Sequence, residues 1–156
     1  MKYLLFATTL ALAPALVCAQ NKSATMPIDL VADSGFYDQM AGIAVYEGNV
    51  RAKQGDATIW AHKITITLKN NAADVIEAIG NKKSLVRFEF KGDKQPIKGQ
   101  GQKATYQVPK KIVTLSQNAK IEQGKDLIKG NKLTYDLSKE IIRGSRVQMT
   151  FLPNKK

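Results

Sequence analysis

Few side chains in this 156-residue chain could do covalent or acid–base chemistry. His62 is the single imidazole, and it lies inside an alternating stretch that reads as strand, more a strand residue than a base or ligand. Cys18 is the single thiol, so an internal disulfide is excluded. One Cys with one His cannot build the usual structural zinc cages. Asp33 and Asp38 are paired carboxylates, but both stand beside turn residues, where carboxylates cap backbone N–H groups or are solvated. No Ser sits in a nucleophile elbow. Gly99-Gln100-Gly101 lacks the Gly-Lys-Ser/Thr of a phosphate loop, and no helical pattern opens after it. Arg87-Phe88-Glu89-Phe90-Lys91 interleaves aromatics with charge, as a base-stacking platform does. Parity, however, turns Phe88 and Phe90 to the side of Val86, the arrangement of a core face. The chemistry on offer is that of binding, with no catalyst, cofactor or metal in view.

The elements that carry these residues alternate with period two almost throughout, and none sustains a helical period. Val86, Phe88 and Phe90 share a parity, as do Ala104, Tyr106 and Val108, and Val113, Leu115, Ala119 and Ile121. Trp60, Ile64, Ile66 and Leu68 do the same, which places Trp60 on the face of the isoleucines. Gly48-Asn49, Gly55-Asp56, Asn70-Asn71, Gly80-Asn81, Gly92-Asp93, Pro109, Gly124 and Gly144 punctuate the pattern with turn residues. Residues 72–78 suit a helix or a strand equally. About a dozen or more strands of five or six residues account for the length. The chain reads as all-β.

A repeat supports that reading. Residues 49–68 align without a gap on residues 118–137, through the Gln-Gly turn of each, and a small-x-Lys-x-Thr-x-x-apolar unit recurs at 61–68, 101–108 and 130–137. Units of this kind stack, each covering the open edge of its neighbour.

The beginning of the chain is different. Lys2 precedes an apolar run from Leu4 to Val17, and Val17-Cys18-Ala19 has the pattern of a secretory cleavage site. We expect a signal peptide over residues 1–19 and a single domain over 20–156, with an ordered core over 26–152. Lipid anchoring through Cys18 is disfavoured by the bulky Val17 before it. Cleavage near Ala19 leaves a chain without thiols in an oxidising compartment.

Net charge is +11 over the whole chain. It is unevenly spread: residues 20–81 hold five Lys/Arg and seven Asp/Glu, and residues 82–156 hold 18 and six, giving −2 and +12. Anionic partners are implied, and a secretory leader carries the chain away from most nucleic acid.

In ordered series, Pro27-Ile-Asp-Leu30, Ala32-Asp-Ser-Gly35, Tyr46-Glu-Gly-Asn-Val50, Ile76-Glu-Ala-Ile-Gly-Asn81 and Pro96-Ile-Lys-Gly99 resemble the OstA-like family of periplasmic lipopolysaccharide-transport proteins. Ala104-Thr-Tyr106, Leu115-Ser-Gln-Asn-Ala119 and Lys132-Leu-Thr-Tyr-Asp136 continue the series. No single motif is diagnostic; the order is. The resemblance implies a twisted, V-shaped, open antiparallel β-jellyroll without enzymatic activity or cofactor. It implies passage of lipopolysaccharide (lipid A) from an inner-membrane-anchored partner of similar fold to an outer-membrane lipopolysaccharide assembly protein. Head-to-tail self-association and a periplasmic location belong to the same picture, and nucleic acid does not. By parity and by position against the family's interior sheet, Ile28, Leu30, Tyr46, Phe88, Tyr106, Val108 and Leu115 would face the acyl chains, unless they only pack against one another. Lys82, Lys83, Lys91, Lys94 and Lys98 would meet lipid phosphates at the mouth. A secreted β-sandwich that binds an anionic glycan or another envelope protein is the alternative reading of the same residues.

Overall fold

The computed structural model describes residues 26–91 and 95–152, all of them in strands, turns and connections. The expected leader, the assignment of Lys94 and the last four residues lie outside these. Twelve strands follow in order: β1 (Asp29–Val31), β2 (Ser34–Asp38), β3 (Ile43–Gln54), β4 (Ala57–Lys69), β5 (Ala72–Ile79) and β6 (Val86–Lys91). Then come β7 (Pro96–Gly101), β8 (Lys103–Gln107), β9 (Ile112–Gln123), β10 (Asp126–Asp136), β11 (Ile141–Ser145) and β12 (Gln148–Thr150). Residues 72–78, left open between helix and strand, belong to β5. The chain is all-β, as its alternation predicts.

Four strands, β3, β4, β9 and β10, are 11 to 13 residues long rather than five or six. The reason is that the turn signal Gly48-Asn49, and Gln117-Asn118 which carries no such signal, are corners inside continuous strands. Gly48 and Asn49 take φ of 83° and 47°, and Gln117 and Asn118 take 60° and 58°. At each corner the pairing shifts, with three residues advancing on one strand for two on its partner. Such bulges bend the strand and sharpen its twist. The two corners occupy equivalent positions in the repeat, so the sequence repetition is a repetition of a bent hairpin. Its turns match as well, with Gly55 at φ 55° and Gly124 at φ 60°.

The corners divide one antiparallel sheet into two leaves. Leaf A runs β1, the second part of β3, the first part of β4, β6, β7, the second part of β9, the first part of β10, and β12. Leaf B runs β2, the other parts of β3 and β4, β5, β8, the other parts of β9 and β10, and β11. Backbone bonds stitch the seam between them: Asp33 N–H to Gly48 O at 3.0 Å, Gly80 N–H to Gln102 O at 2.9 Å and Gln102 N–H to Gln117 O at 3.0 Å. Strand neighbours therefore follow chain order closely, with β1 and β2 at one end and β11 and β12 at the other.

The leaves face one another across a single apolar cluster that includes Val50, Ile59, Ile64, Val86, Ile97, Val113, Ile121 and Leu133. Gly99 of leaf A leaves room for Leu115 of leaf B: a Cβ at Gly99 would lie 2.6 Å from Leu115 Cδ1. The corner also corrects the expectation for Trp60. Ala57 and Ile59 are buried before the bend and Ile64 and Ile66 after it, so the inward parity of β4 changes between Ala61 and Ile64. Trp60 lies on the outer face of leaf A, with the Arg87 guanidinium carbon 5.4 Å from its ring centroid.

Candidate functional site

The interior is built by alternation. Each long strand sends every second side chain between the leaves, and the bulges keep both halves of β3 and β9 in phase. All seven residues expected to face lipid lie in or against the apolar cluster. They form a gradient. Leu115 and Phe88 are only 1% and 3% exposed, and Tyr106 and Val108 are 7% exposed. Ile28, Leu30 and Tyr46 are half-buried at the β1–β2 end. Tyr37 pairs in register with the inward-facing Ala44 and is largely exposed there. At the far end Met149, in register with buried Ile128, is again exposed, and Ile142 and Val147 are half-buried. The centre is thus packed leaf against leaf, and apolar side chains become accessible toward both ends.

Sequence reasoning did not single out Ile59, Ile97, Ile121, Leu133 and Tyr135 as site residues, although they fill the same interior; their alternation is the signal that marks them. Tyr135 is 1% exposed and its hydroxyl has no hydrogen-bond partner among the described groups. Burial, with the charges of Glu140 and Asp136 adding, pushes that phenol up to about 12. Burial also raises the Tyr106 phenol.

Opposite the seam the leaves end in two rows of turns, the lips. Asp56, Phe90 and Lys91 from leaf A meet residues 137–140 from leaf B around a recess of about 300 Å³. Asp136 anchors this corner of leaf B. Its Oδ1 accepts bonds from Ser138 Oγ at 2.6 Å, Ser138 N–H at 3.1 Å and Lys139 N–H at 3.2 Å, and Lys139 Nζ stands 3.8 Å from Oδ2. The Ser138 hydroxyl bond foremost, then the backbone N–H groups and Lys139, hold its carboxyl below the usual range against the opposing effect of burial.

The lysines expected at the mouth are not together. Lys91 is at a lip, beside Asp56 and Phe90. Lys82 and Lys83 lie in the β5–β6 connection, where Asn81 Oδ1 accepts from Lys83 N–H at 2.9 Å and Ser84 N–H at 2.8 Å. That connection joins leaf B to leaf A on the seam side, away from the lips. Lys98 lies on the outer face of leaf A, in register between Glu89 and Glu122. Turn chemistry marks where the chain reverses; it carries no information about which end of the sandwich the turn closes. Exposed Lys110, Lys111 and Lys139 occupy leaf B lip turns instead. His62 stands at the surface, its Nε2 3.7 Å from a Glu47 oxygen.

Two bent antiparallel leaves, sealed along one seam and apolar within, define a β-jellyroll. A family described as the LptA/(LptD N-terminal domain) LPS transport proteins matches residues 29–141. The chain belongs to that family. The lipopolysaccharide export system protein LptA of Haemophilus influenzae is 29% identical to it, covering 97% of this chain and 92% of the relative. The corresponding protein LptH of Pseudomonas aeruginosa is 30% identical over 92% of this chain and 82% of its own length. A crystal structure of LptH, described as the LptA-homologous periplasmic component of a lipopolysaccharide transport device, superposes with a TM-score of 0.76 at 28% identity, covering 82% of this chain and 96% of that one.

Proposed function

We propose that this chain is a periplasmic carrier that conveys lipopolysaccharide between the inner-membrane transporter and the outer-membrane assembly machinery, holding acyl chains between its leaves. The observation that supports this most is the single apolar cluster between the leaves, which reaches from Ile28 and Leu30 at one end to Ile142 and Val147 at the other and gives way to less-buried apolar groups at both ends. An acyl chain withdrawn from water gains roughly 0.8 kcal/mol per buried CH₂. Entering between the leaves, it exchanges leaf–leaf contacts for leaf–lipid contacts of the same dispersion character, which offsets the cost of parting them. Lys91 with Lys110, Lys111 and Lys139 at the lips would meet phosphates, while hydrated sugars stay outside. No step in this role requires catalysis. The chain's partners would be an inner-membrane-anchored protein of the same family, the outer-membrane assembly protein and further copies of itself stacked end to end, after removal of the leader near Ala19.

A photo-reactive benzoylphenylalanine at Tyr46 or Phe88 is expected to yield lipopolysaccharide adducts in cells. Substitution at outward-facing Thr105 is the control and should give none. A disulfide joining cysteines placed at Asp56 and Lys139 should close the lips and abolish the Phe88 adduct, with reductant restoring it. Equal adducts from the interior and the control position would overturn the reading.

A further inference from the structure

The two leaves have similar folding constraints and different outer faces. On leaf B one outer row runs from Phe36 through Val45, Thr65, Glu77, Thr105, Thr114 and Thr134 to Arg143, with one charge of each sign. On leaf A the corresponding row is Arg51, Trp60, Arg87, Gln100, Lys120 and Lys129, which holds four cations, no carboxylate and the only tryptophan of the chain. A solvated sheet face has no need of a tryptophan, so the difference points to recognition.

Around Trp60 the face is concave. A recess of about 330 Å³ is lined by Trp60, Arg87, Glu89, Lys98 and Gln100, with Lys120 and Glu122 at its side. Lys120 is ion-paired with Glu122, and Lys98 sits in register between Glu89 and Glu122. The recess thus combines an indole, a stacked guanidinium, an amide and carboxylates, all planar groups that donate to or accept from hydroxyls. Beyond it the row continues as Arg51 on one side and, past the ion-paired Lys120, as Lys129 on the other. At about 4.8 Å per strand, the eight strands of leaf A give a track of about 34 Å.

We propose that the outer face of leaf A is a binding site for a linear, carboxylate-bearing glycan, with one sugar in the Trp60 recess and neighbouring acidic groups on Arg51 and Lys129. Charge complementarity carries the choice of an anionic strand. One feature argues against nucleic acid: the face offers a single aromatic, Trp60, one side of which Arg87 already covers, so successive bases have nothing to stack on. The site is on the outside of the sandwich and stands apart from the lipid reading.

Trp60 is its own reporter. Titrating the mature chain with oligogalacturonate should change tryptophan emission saturably, and maltose oligomers of the same length should do so far more weakly. Arg87→Gln, and separately Lys129→Gln, which lies outside the ring contact, should weaken the carboxylated glycan by about tenfold each with melting temperature unchanged. Added salt should weaken it further. Lipopolysaccharide adducts at Tyr46 should be unaffected, so failure here and failure of the carrier reading are distinguishable. No saturable change with oligogalacturonate, wild-type affinity in Lys129→Gln, or tighter binding of a single-stranded oligothymidylate would each overturn the proposal.

Discussion

Gly99 and Leu115 meet where the leaves are packed most tightly, and one methyl group decides the fit. Gly99→Ala is expected to cost about 1–3 kcal/mol in urea denaturation, because its Cβ enters the space of Leu115 Cδ1. Leu115→Ala made in that background should cost less than in the parent chain, since the two changes share one space. At the lip, Asp136 makes a pH prediction. Its carboxyl is held below the ordinary 3.8 by the Ser138 and Lys139 bonds. A depressed folded value means the carboxylate stabilises the chain at pH above the unfolded value, and that contribution disappears as pH falls through the folded one. Melting temperature followed between pH 7 and pH 2 should drop less steeply in Asp136→Asn than in the parent, from a lower start at pH 7. An unchanged acid slope would remove Asp136 from the account.

At the scale of elements, the corners are the telling feature, and their two copies differ usefully. Gly48 and Gln117 are equivalent in the repeat and both are left-handed. Gly48 also abuts Asp33, whose Oδ2 accepts from Asn49 Nδ2 at 2.8 Å, so no side chain fits there. Gly48→Gln should therefore destabilise by more than about 1 kcal/mol. Gln117→Gly, which only relieves an unfavourable φ, should be neutral or stabilising by up to about 1 kcal/mol. Equal effects in thermal unfolding would show that the corners are not set by these local terms. The same corners mark what could be read from the chain. Alternation found the strands and the interior positions of β6, β8 and β9, because parity survives wherever the backbone stays regular. It misplaced Trp60, because the bend changes the inward parity of β4 between Ala61 and Ile64 while leaving the pattern of apolar residues looking continuous. It grouped Lys82, Lys83 and Lys98 with Lys91, because position relative to seam and lip arises only when distant strands pair.

For the whole molecule, strand order that tracks chain order turns the sequence's charge division into an axial one. Residues 29–79, which carry β1 to β5, hold four Lys/Arg and seven Asp/Glu and form one end, and residues 96–150, which carry β7 to β12, hold eleven and four and form the other. Both ends expose apolar groups, Val31, Phe36 and Tyr37 at the first and Met149, Phe151 and Leu152 at the last, beside strand edges with open backbone groups. Contacts between unlike ends do not close on themselves and build filaments. Light scattering should accordingly grow with protein concentration and diminish as salt rises. A monomer at all concentrations, or assembly indifferent to salt, would sink the electrostatic part of this picture.

The recurrence of one bent hairpin at an interval of 69 residues has a consequence for how such a chain can change in length. Because β9 and β10 stand to β8 and β7 as β3 and β4 stand to what precedes them, an extra copy of the unit from one corner to the next meets the neighbours it already expects. It introduces no new crossing and no buried end. The sandwich behaves as a modular ruler: its span is set by how many corners the gene encodes, while its cross-section, and so the width of whatever it holds, stays the same.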